Sequence, residues 1–324
     1  MSQERPIPLV TIFGPTAVGK SALAISLCEA VGGEVITADS RQVYRYMDIG
    51  TDKPTVEQRR GIPHHMIDLV TPDEPYTLAM YQDGARQAIR HIWERGRVPV
   101  LAGGTPLYIN SVVEGWTIPR VEPNPSLRQE LETEALEAGP EALHARLAAY
   151  DPLAAVKILP TNTRRLIRAL EVVLTTGRPI TEQQDKQPPP YKILKIGLDC
   201  ERTELYRRAD ARVEREVADG LVEEVLSLYE RGYSFELPSM SGLGYRQIGD
   251  YLRGRATFDE AKQRIKWDTH SFVRHQGNWF RRVTDAVWID VTEPDTNYSA
   301  VIESARLFVS QAGHSPEVAH STDS

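Results

Sequence analysis

Residues 14–21 constrain the fold of this chain more than any other segment. They read Gly-Pro-Thr-Ala-Val-Gly-Lys-Ser and match the pattern G-x-x-x-x-G-K-[ST]. An apolar, β-branched run precedes them at 7–13, and apolar residues with helical spacing follow at 21–33. Such a loop directs backbone N–H groups and the positive end of a helix at phosphate oxygens. The pattern therefore predicts a phosphate-binding loop that includes Gly14, Thr16, Ala17, Val18, Gly19, Lys20 and Ser21.

Short apolar strands alternate with helical segments after this loop. The runs at 34–40 and 98–104 predict strands, and 77–95 predicts a helix that Thr77 caps. This alternation is typical of a parallel sheet, so we predict an α/β fold with a P-loop NTPase-like sheet and helices on both faces. Further along the chain we predict strands at 191–200 and 286–290 and one long helix at 203–231.

The composition changes after Thr117. Three prolines fall within 118–125, helical spacing follows over 126–150, and Gln-Pro-Pro-Pro-Tyr closes the region at 187–191. The C-terminal tail is polar. We predict a catalytic core of residues 1–119 and 191–310, an all-helical insertion domain at 120–190 and a disordered tail at 311–324.

The net charge of −7 argues against a generally basic nucleic-acid binder. However, residues 245–282 carry nine Lys and Arg against four acids, a local charge of +5, whereas residues 283–324 carry seven acids and one Arg. Two cysteines exclude a disulfide framework and a four-cysteine zinc site. No apolar stretch approaches the ~20 residues of a membrane span, so we expect a cytoplasmic protein.

Polar residues lie at the carboxyl ends of the second and third predicted strands, where ligands bind in open α/β sheets. Asp39 could act there as a general base, as a Mg²⁺ ligand or only as a helix N-cap. Thr105 follows two glycines and offers a hydroxyl, although the glycines could simply form a tight turn. His64 and His65 are adjacent on an extended segment and point opposite ways, which favours a structural role over metal binding.

Two other segments allow both a functional and an ordinary interpretation. Arg164, Arg165 and Arg168 would lie on a helix, as a solvated face or as a phosphate-binding one. Residues 241–247 read Ser-Gly-Leu-Gly-Tyr-Arg-Gln and suit an unstacked base, or they form a loop that leads into a helix with a buried tyrosine.

Several motifs together resemble one family, the tRNA dimethylallyltransferases. In chain order they are GPTAVGKS, ADSRQVYRYMDIGTDKP, PHHMIDL, LAGGTPLYI, TNTRRLIRALEV and GLGYRQI, and the resemblance covers about residues 8–290. It implies transfer of a dimethylallyl group from dimethylallyl diphosphate to N6 of the adenosine 3′ of the anticodon, with release of diphosphate. The adenine must then be extruded from its loop. No Cys or His cluster follows His275, where eukaryotic relatives carry a zinc finger, so a bacterial-type enzyme is implied.

The resemblance also implies roles for individual residues. Asp39 matches the general base, and Thr105 matches a residue at the reacting centre that bonds the leaving oxygen. The phosphate loop would hold the diphosphate with Mg²⁺ on Ser21, assisted by Arg202 and, less strongly, Arg208. We expect a monomer that binds the anticodon stem-loop of tRNA. Its implied tRNA contacts are Asp39, Ser40, Arg41, Gln42, Thr105, Arg128, Arg164, Arg165, Leu166, Ile167, Arg168, Ser241, Gly242, Leu243, Gly244, Tyr245 and Arg246.

Three other functions fit parts of the sequence. A small-molecule P-loop kinase would also use a strand-end aspartate, but it has no need of the basic segment or the arginine-bearing insert. An adenylate isopentenyltransferase would act on free nucleotides, and the insert favours a larger RNA substrate. A non-enzymatic RNA-binding protein would not require Asp39 and Thr105 at one crevice.

Overall fold

The computed structural model describes residues 6–293 and 295–312. The predicted disordered tail lies, from residue 313 onward, outside the described residues. The chain divides into two compact units, the first comprising the described parts of 1–113 and 190–324 and the second comprising Glu114–Pro189.

The first unit is built on a parallel sheet, which confirms the predicted α/β fold. Its six described strands lie in the order β3-β2-β4-β1-β5-β6. Central strand β1 pairs in parallel with β4 and β5, so that Val10 aligns with Val100 and Leu194. The strands are β1 (Ile7–Phe13), β2 (Gly33–Thr37), β3 (His64–His65), β4 (Val98–Gly103), β5 (Tyr191–Asp199) and β6 (Val287–Asp290).

Helices cover both faces of this sheet. Because side chains alternate along a strand, Leu9 and Phe13 join one buried cluster while Val10 and Ile12 join another on the opposite face. In chain order the helices are α1 (Lys20–Val31), α2 (Leu78–Glu94), α3 (Pro106–Val113), α4 (Pro125–Glu137), α5 (Pro140–Tyr150), α6 (Pro152–Lys157), α7 (Thr163–Thr176), α8 (Ile180–Gln183), α9 (Arg202–Ala218), α10 (Leu221–Glu230), α11 (Tyr245–Leu252), α12 (Phe258–Phe280) and α13 (Ser299–Ser310).

Two predicted elements differ from the structure. The single helix expected at 203–231 is interrupted between α9 and α10, because Gly220 adopts φ 103°, a left-handed conformation that glycine tolerates and a continuing helix excludes. The strand expected at 34–40 ends at Thr37. Residues 38–63 form turns and loops with one isolated bridge, Tyr44 to Val70, and contain no helix or strand.

The second unit is all-helical and contains α4 to α8. Three of these helices begin at prolines, which suit the first helical position because no intrahelical partner is lost there. Leu131, Leu147 and Leu166 belong to its separate buried core. The chain enters and leaves the unit side by side, since Thr117 donates its N–H to the Asp185 carbonyl (2.8 Å). The predicted insertion domain began at residue 120, whereas this unit begins at Glu114. Residues 114–119, which we predicted to belong to the core, are therefore part of the second unit.

No helix within the described ranges is both long and apolar enough to cross a membrane.

Candidate active site

The phosphate loop and the two polar strand ends meet at one edge of the sheet, because β2, β4 and β1 are neighbours. A cleft of about 470 Å³ opens there. Its lining includes most of the predicted diphosphate residues together with Asp39, but Arg202 lies elsewhere, exposed on the first turn of α9. The predicted residues that line the cleft are Thr16, Ala17, Gly19, Lys20, Ser21, Asp39, Gln42 and Arg208.

Lys20 lies at the start of α1, immediately after the left-handed Gly19 (φ 97°). Its ammonium group donates to the Pro15 carbonyl at 2.6 Å. Burial lowers the pKa of Lys20 to about 8, while Asp39 opposes and Arg212 reinforces this shift. An anion in the cleft would favour the charged form of Lys20 and raise this pKa.

Gln276 of α12 joins the phosphate loop to the end of β4. Its side-chain oxygen accepts the Thr16 N–H at 2.8 Å, and its amide nitrogen donates to the Gly104 carbonyl at 2.7 Å. Sequence reasoning missed this buried residue, because 260 positions separate it from Thr16.

The loops that carry Asp39 and Thr105 are bonded directly to each other. The Thr105 hydroxyl oxygen accepts the Ser40 N–H at 3.0 Å, and the Thr105 N–H donates to the Ala38 carbonyl at 3.1 Å. A Cβ on Gly103 would lie 2.1 Å from that carbonyl oxygen, so only glycine permits this approach. Asp39 accepts the Arg41 N–H at 2.8 Å, and a turn follows it instead of a helix, which removes the helix N-cap interpretation.

Arginines of α9 also line the cleft. Arg208, Arg212 and Arg215 are spaced i, i+4 and i+7 and share one helix face. Arg212 is ion-paired with Glu216 (2.6 Å) and Asp52 (3.3 Å). Despite burial, these acids raise the pKa of Arg212, so the guanidinium stays charged. The spacing of these arginines is visible in the sequence, but spacing alone does not show which helix face borders a cleft. Arg208, which the resemblance implied less strongly than Arg202, is the one that lines it.

The segment after Asp39 is held by buried polar side chains. Gln42, a predicted tRNA contact, donates to the Thr51 carbonyl at 3.0 Å and is itself buried. Glu224 of α10 accepts the Ile49 N–H (2.7 Å) and the Tyr245 hydroxyl (2.6 Å). These bonds position residues 39–53 without regular secondary structure.

The loop before Tyr245 leads into helix α11 and buries the tyrosine, which is the second of the two interpretations given for residues 241–247. The Tyr245 ring is buried against Gly50, whose added Cβ would lie 2.7 Å from it, and therefore cannot stack on a base in this conformation. Arg246 pairs with Asp268 at 2.7 Å and stays half exposed. The other implied tRNA contacts of this loop precede Tyr245 in the chain and are Ser241, Gly242, Leu243 and Gly244.

Arg41 links the Asp39 turn to the segment before this loop. Its guanidinium donates to the carbonyls of Pro238 (2.8 Å) and Ser239 (3.0 Å) and to the Ser241 hydroxyl (3.2 Å). Through these bonds Arg41 ties the turn after Asp39 to residues 238–241.

Replacing Arg41 by Ala is expected to lower kcat about tenfold, because the Asp39 turn loses its anchor, and to leave the salt dependence of RNA binding unchanged. Arg164→Ala, which removes an exposed arginine, serves as the control and should reduce the salt slope by about one. RNA affinities measured from 50 to 200 mM salt, with kcat, distinguish the two roles. A slope that falls by about one in Arg41→Ala would make Arg41 a phosphate contact.

The predicted RNA-binding arginines of the second unit differ in their surroundings. Arg128 and Arg168 pair with Glu171 at 2.8 and 2.6 Å, and the Glu171 side chain is completely buried. Burial raises the pKa of Glu171, but the hydrogen bonds from these arginines and from the Asn124 N–H outweigh it and lower the pKa overall. Arg164 and Arg165 are exposed, whereas Leu166 and Ile167 have buried side chains.

The two histidines point apart, as expected from their strand. His65 bonds Glu34 at 2.6 Å, and His64 bonds the Ile62 carbonyl at 2.9 Å. Within the described residues, no three His, Cys, Asp or Glu side chains cluster as metal ligands. His64 also lines the cleft, and burial lowers its pKa.

Comparisons with known proteins agree on one family. The IPP transferase family model matches residues 42–283, and the isopentenyl transferase model matches residues 7–68. A tRNA dimethylallyltransferase from Thermomicrobium roseum is 55% identical over 287 residues, which are 89% of this chain and 87% of that protein.

Solved structures give the same answer. The tRNA isopentenylpyrophosphate transferase of Bacillus halodurans aligns with a TM-score of 0.69 and 40% identity over 94% of this chain and 96% of that one. A eukaryotic dimethylallyltransferase acting on tRNA aligns with a TM-score of 0.79 and 26% identity, covering 92% of this chain and 77% of that one. The chain belongs to the IPP transferase family of prenyl-group transferases.

Proposed function

We propose that this protein is a tRNA dimethylallyltransferase, which transfers the dimethylallyl group of dimethylallyl diphosphate to N6 of the adenosine 3′ of the anticodon and releases diphosphate. The observation that carries the proposal is the meeting of the phosphate loop, Asp39 and the Thr105 loop at one cleft. The relatives named above are the second support.

Charge on the leaving diphosphate is the main electrostatic demand of this reaction. Breaking the allylic C–O bond leaves the electron pair on a diphosphate oxygen. The N-terminus of α1, Lys20 and the Arg208 and Arg212 side chains surround the cleft with positive charge, and preorganised charge of this kind stabilises the transition state.

Mg²⁺ fits the site as an ion shared with the substrate. The Ser21 hydroxyl lies on the cleft, with Asp39 as a nearby carboxylate. Mg²⁺ in such sites keeps several waters and binds few protein groups besides substrate phosphates, which suits a cleft with no cluster of ligands among the described residues. When bound, the ion would neutralise charge on the diphosphate.

Asp39 and Thr105 have complementary roles at the reacting atoms. The exocyclic amine is a weak nucleophile, because its lone pair is delocalised into the ring. As N6 bonds to C1 of the dimethylallyl group, Asp39 accepts the N6 proton. Thr105, whose oxygen is oriented by the Ser40 N–H, donates its O–H to the departing oxygen.

The RNA is proposed to contact the exposed arginines of the second unit as well as the core. We expect the protein to act on the RNA as a monomer. Because tRNA is the substrate, we place the enzyme in the cytoplasm.

Incubation with unmodified tRNA, Mg²⁺ and labelled dimethylallyl diphosphate, with ATP as a competing donor, tests the function directly. Label should enter the tRNA and not an otherwise identical tRNA with guanosine 3′ of the anticodon. Label in the free adenine nucleotide but not in tRNA would indicate an adenylate isopentenyltransferase. Transfer of the ATP γ-phosphate to a small molecule would indicate a kinase.

Diphosphate binding should weaken as the pH rises through about 8, because the anion binds protonated Lys20, whose pKa in the free protein is about 8. Above that pH, the Kd for dimethylallyl diphosphate should rise up to about tenfold per pH unit.

Between pH 8 and 10.5 the unfolded chain retains the Lys20 proton and the folded chain does not, so the contribution of Lys20 to the stability of the free protein increases with pH.

Titration calorimetry between pH 7 and 9.5 measures this effect. Lys20→Arg keeps its charge throughout and should give a flat profile. Parallel profiles for the two proteins would assign the pH dependence to another group.

A further inference from the structure

One face of α12 connects the glycine loop at 241–246 with the phosphate loop. Asp268, Phe272 and Gln276 are spaced i, i+4 and i+8 and therefore lie along one stripe, with about 6 Å of helix rise between successive members. Asp268 accepts hydrogen bonds from the side chains of Arg246 and Gln247, both at 2.7 Å. Gln276 holds the Thr16 N–H and the Gly104 carbonyl, as described above.

Phe272 lies halfway between these two anchored positions. Gln276, one turn beyond Phe272 on α12, donates to the carbonyl of Gly104, and Gly104 lines the cleft. The Phe272 side chain is 43% exposed, although Ile265, Val273 and Phe280 of the same helix are buried. Side chains of a helix lean toward its N-terminus, which directs this ring toward Asp268 and Arg246.

An exposed ring one helical turn from the Asp268–Arg246 ion pair suits the chemistry of an unpaired nucleobase. RNA-binding proteins stack unstacked bases on aromatic rings and use arginines for the backbone. A base extruded from its loop loses its stacking on neighbouring bases, and a protein ring compensates for that loss. The charge of +5 over residues 245–282 complements an RNA backbone.

We propose that Phe272 is a stacking platform for a nucleobase of the RNA substrate, at or next to the extruded adenosine. This inference rests on the proposed function. It predicts that the ring contributes to RNA affinity without contributing to diphosphate affinity, because Gln276 and not Phe272 contacts the phosphate loop.

Trp267 provides a matched control on the same helix. It is 62% exposed and lies five positions before Phe272, which places it about 140° around the helix axis. A general effect of losing an exposed aromatic ring from α12 would appear equally in both variants.

The experiment compares Phe272→Leu, Phe272→Tyr and Trp267→Leu with the unchanged protein, using anticodon stem-loop RNA that carries 2-aminopurine at the target position or at the next nucleotide. In Phe272→Leu we expect the Kd for RNA to rise about tenfold and the quenching of 2-aminopurine to be lost at one of the two positions. Phe272→Tyr should retain the RNA affinity and the quenching, and Trp267→Leu should change neither of them. The salt slope and the Kd for dimethylallyl diphosphate should stay constant, because the ring is uncharged.

Equal RNA affinities and equal quenching in Phe272→Leu and the unchanged protein would overturn the proposal, as would an equal loss in Phe272→Leu and Trp267→Leu. These experiments distinguish failure of the proposed function from failure of the stacking proposal. If the unchanged protein transfers no label to tRNA, the proposed function fails. If it transfers label and Phe272→Leu binds RNA normally, only the platform fails.

Discussion

Replacing Asp39 by Asn should lower the rate of prenyl transfer about 10³-fold, while the affinities for tRNA and for dimethylallyl diphosphate change little. General-base catalysis contributes about 10²- to 10⁴-fold, and an amide cannot accept the N6 proton. Asn retains an oxygen that can accept the Arg41 N–H, the bond of 2.8 Å that shapes the turn. Single-turnover kinetics with labelled dimethylallyl diphosphate isolates the chemical step from product release.

Asp52→Asn is the matched control, because Asp52 is the other acid that lines this cleft and it pairs with Arg212. We expect it to reduce the rate less than tenfold. If Asp39→Asn stays within tenfold of the unchanged enzyme and Asp52→Asn does not, the base is Asp52.

Replacing Glu171 by Ala should destabilise the second unit by about 3 kcal/mol, because two arginines would then face each other without the carboxylate between them. The backbone N–H of Asn124, which donates to Glu171 at 2.8 Å, would also lose its acceptor. Denaturant unfolding, followed together with hydrogen exchange of α4 and α7, measures the loss in the unit where it arises.

Glu132 on α4 is exposed, so Glu132→Ala should change stability by less than about 0.5 kcal/mol. Exchange rates in α4 and α7 that match those of the unchanged protein would contradict a structural role for Glu171. RNA affinity measured on the same variants shows whether the orientation of Arg128 and Arg168 contributes to binding.

The parts of the fold that were predicted correctly depend on local pattern. The run Ile7–Phe13, the glycine loop and the helix behind it are adjacent in the chain, so a continuous apolar run, the glycine motif and helical spacing suffice to identify them. The same holds for α2, where Thr77 caps the helix through a bond to the Met80 N–H, as its position predicted. The break at Gly220 was missed, because a single glycine does not reveal whether its backbone is left-handed.

The site was predictable where a motif states its own chemistry. Lys20 and Ser21 belong to a pattern whose function follows from phosphate binding, and Asp39 and Thr105 follow from their places at strand ends. The roles of Arg41 and Tyr245 were not predictable in this way. An arginine looks the same in sequence whether it faces RNA or a backbone carbonyl, and a tyrosine looks the same whether its ring is exposed or buried.

The amino-acid sequence alone determined the class of fold, the phosphate loop and the family resemblance, because each is written in residues that lie close together in the chain. Only the tertiary structure decided which groups share the cleft. It brought Gln276 to Thr16, placed Arg212 and not Arg202 on the lining, and left Phe272 exposed on α12. These contacts join segments far apart in the chain, and packing of the helices against the sheet is what brings them within reach of one another.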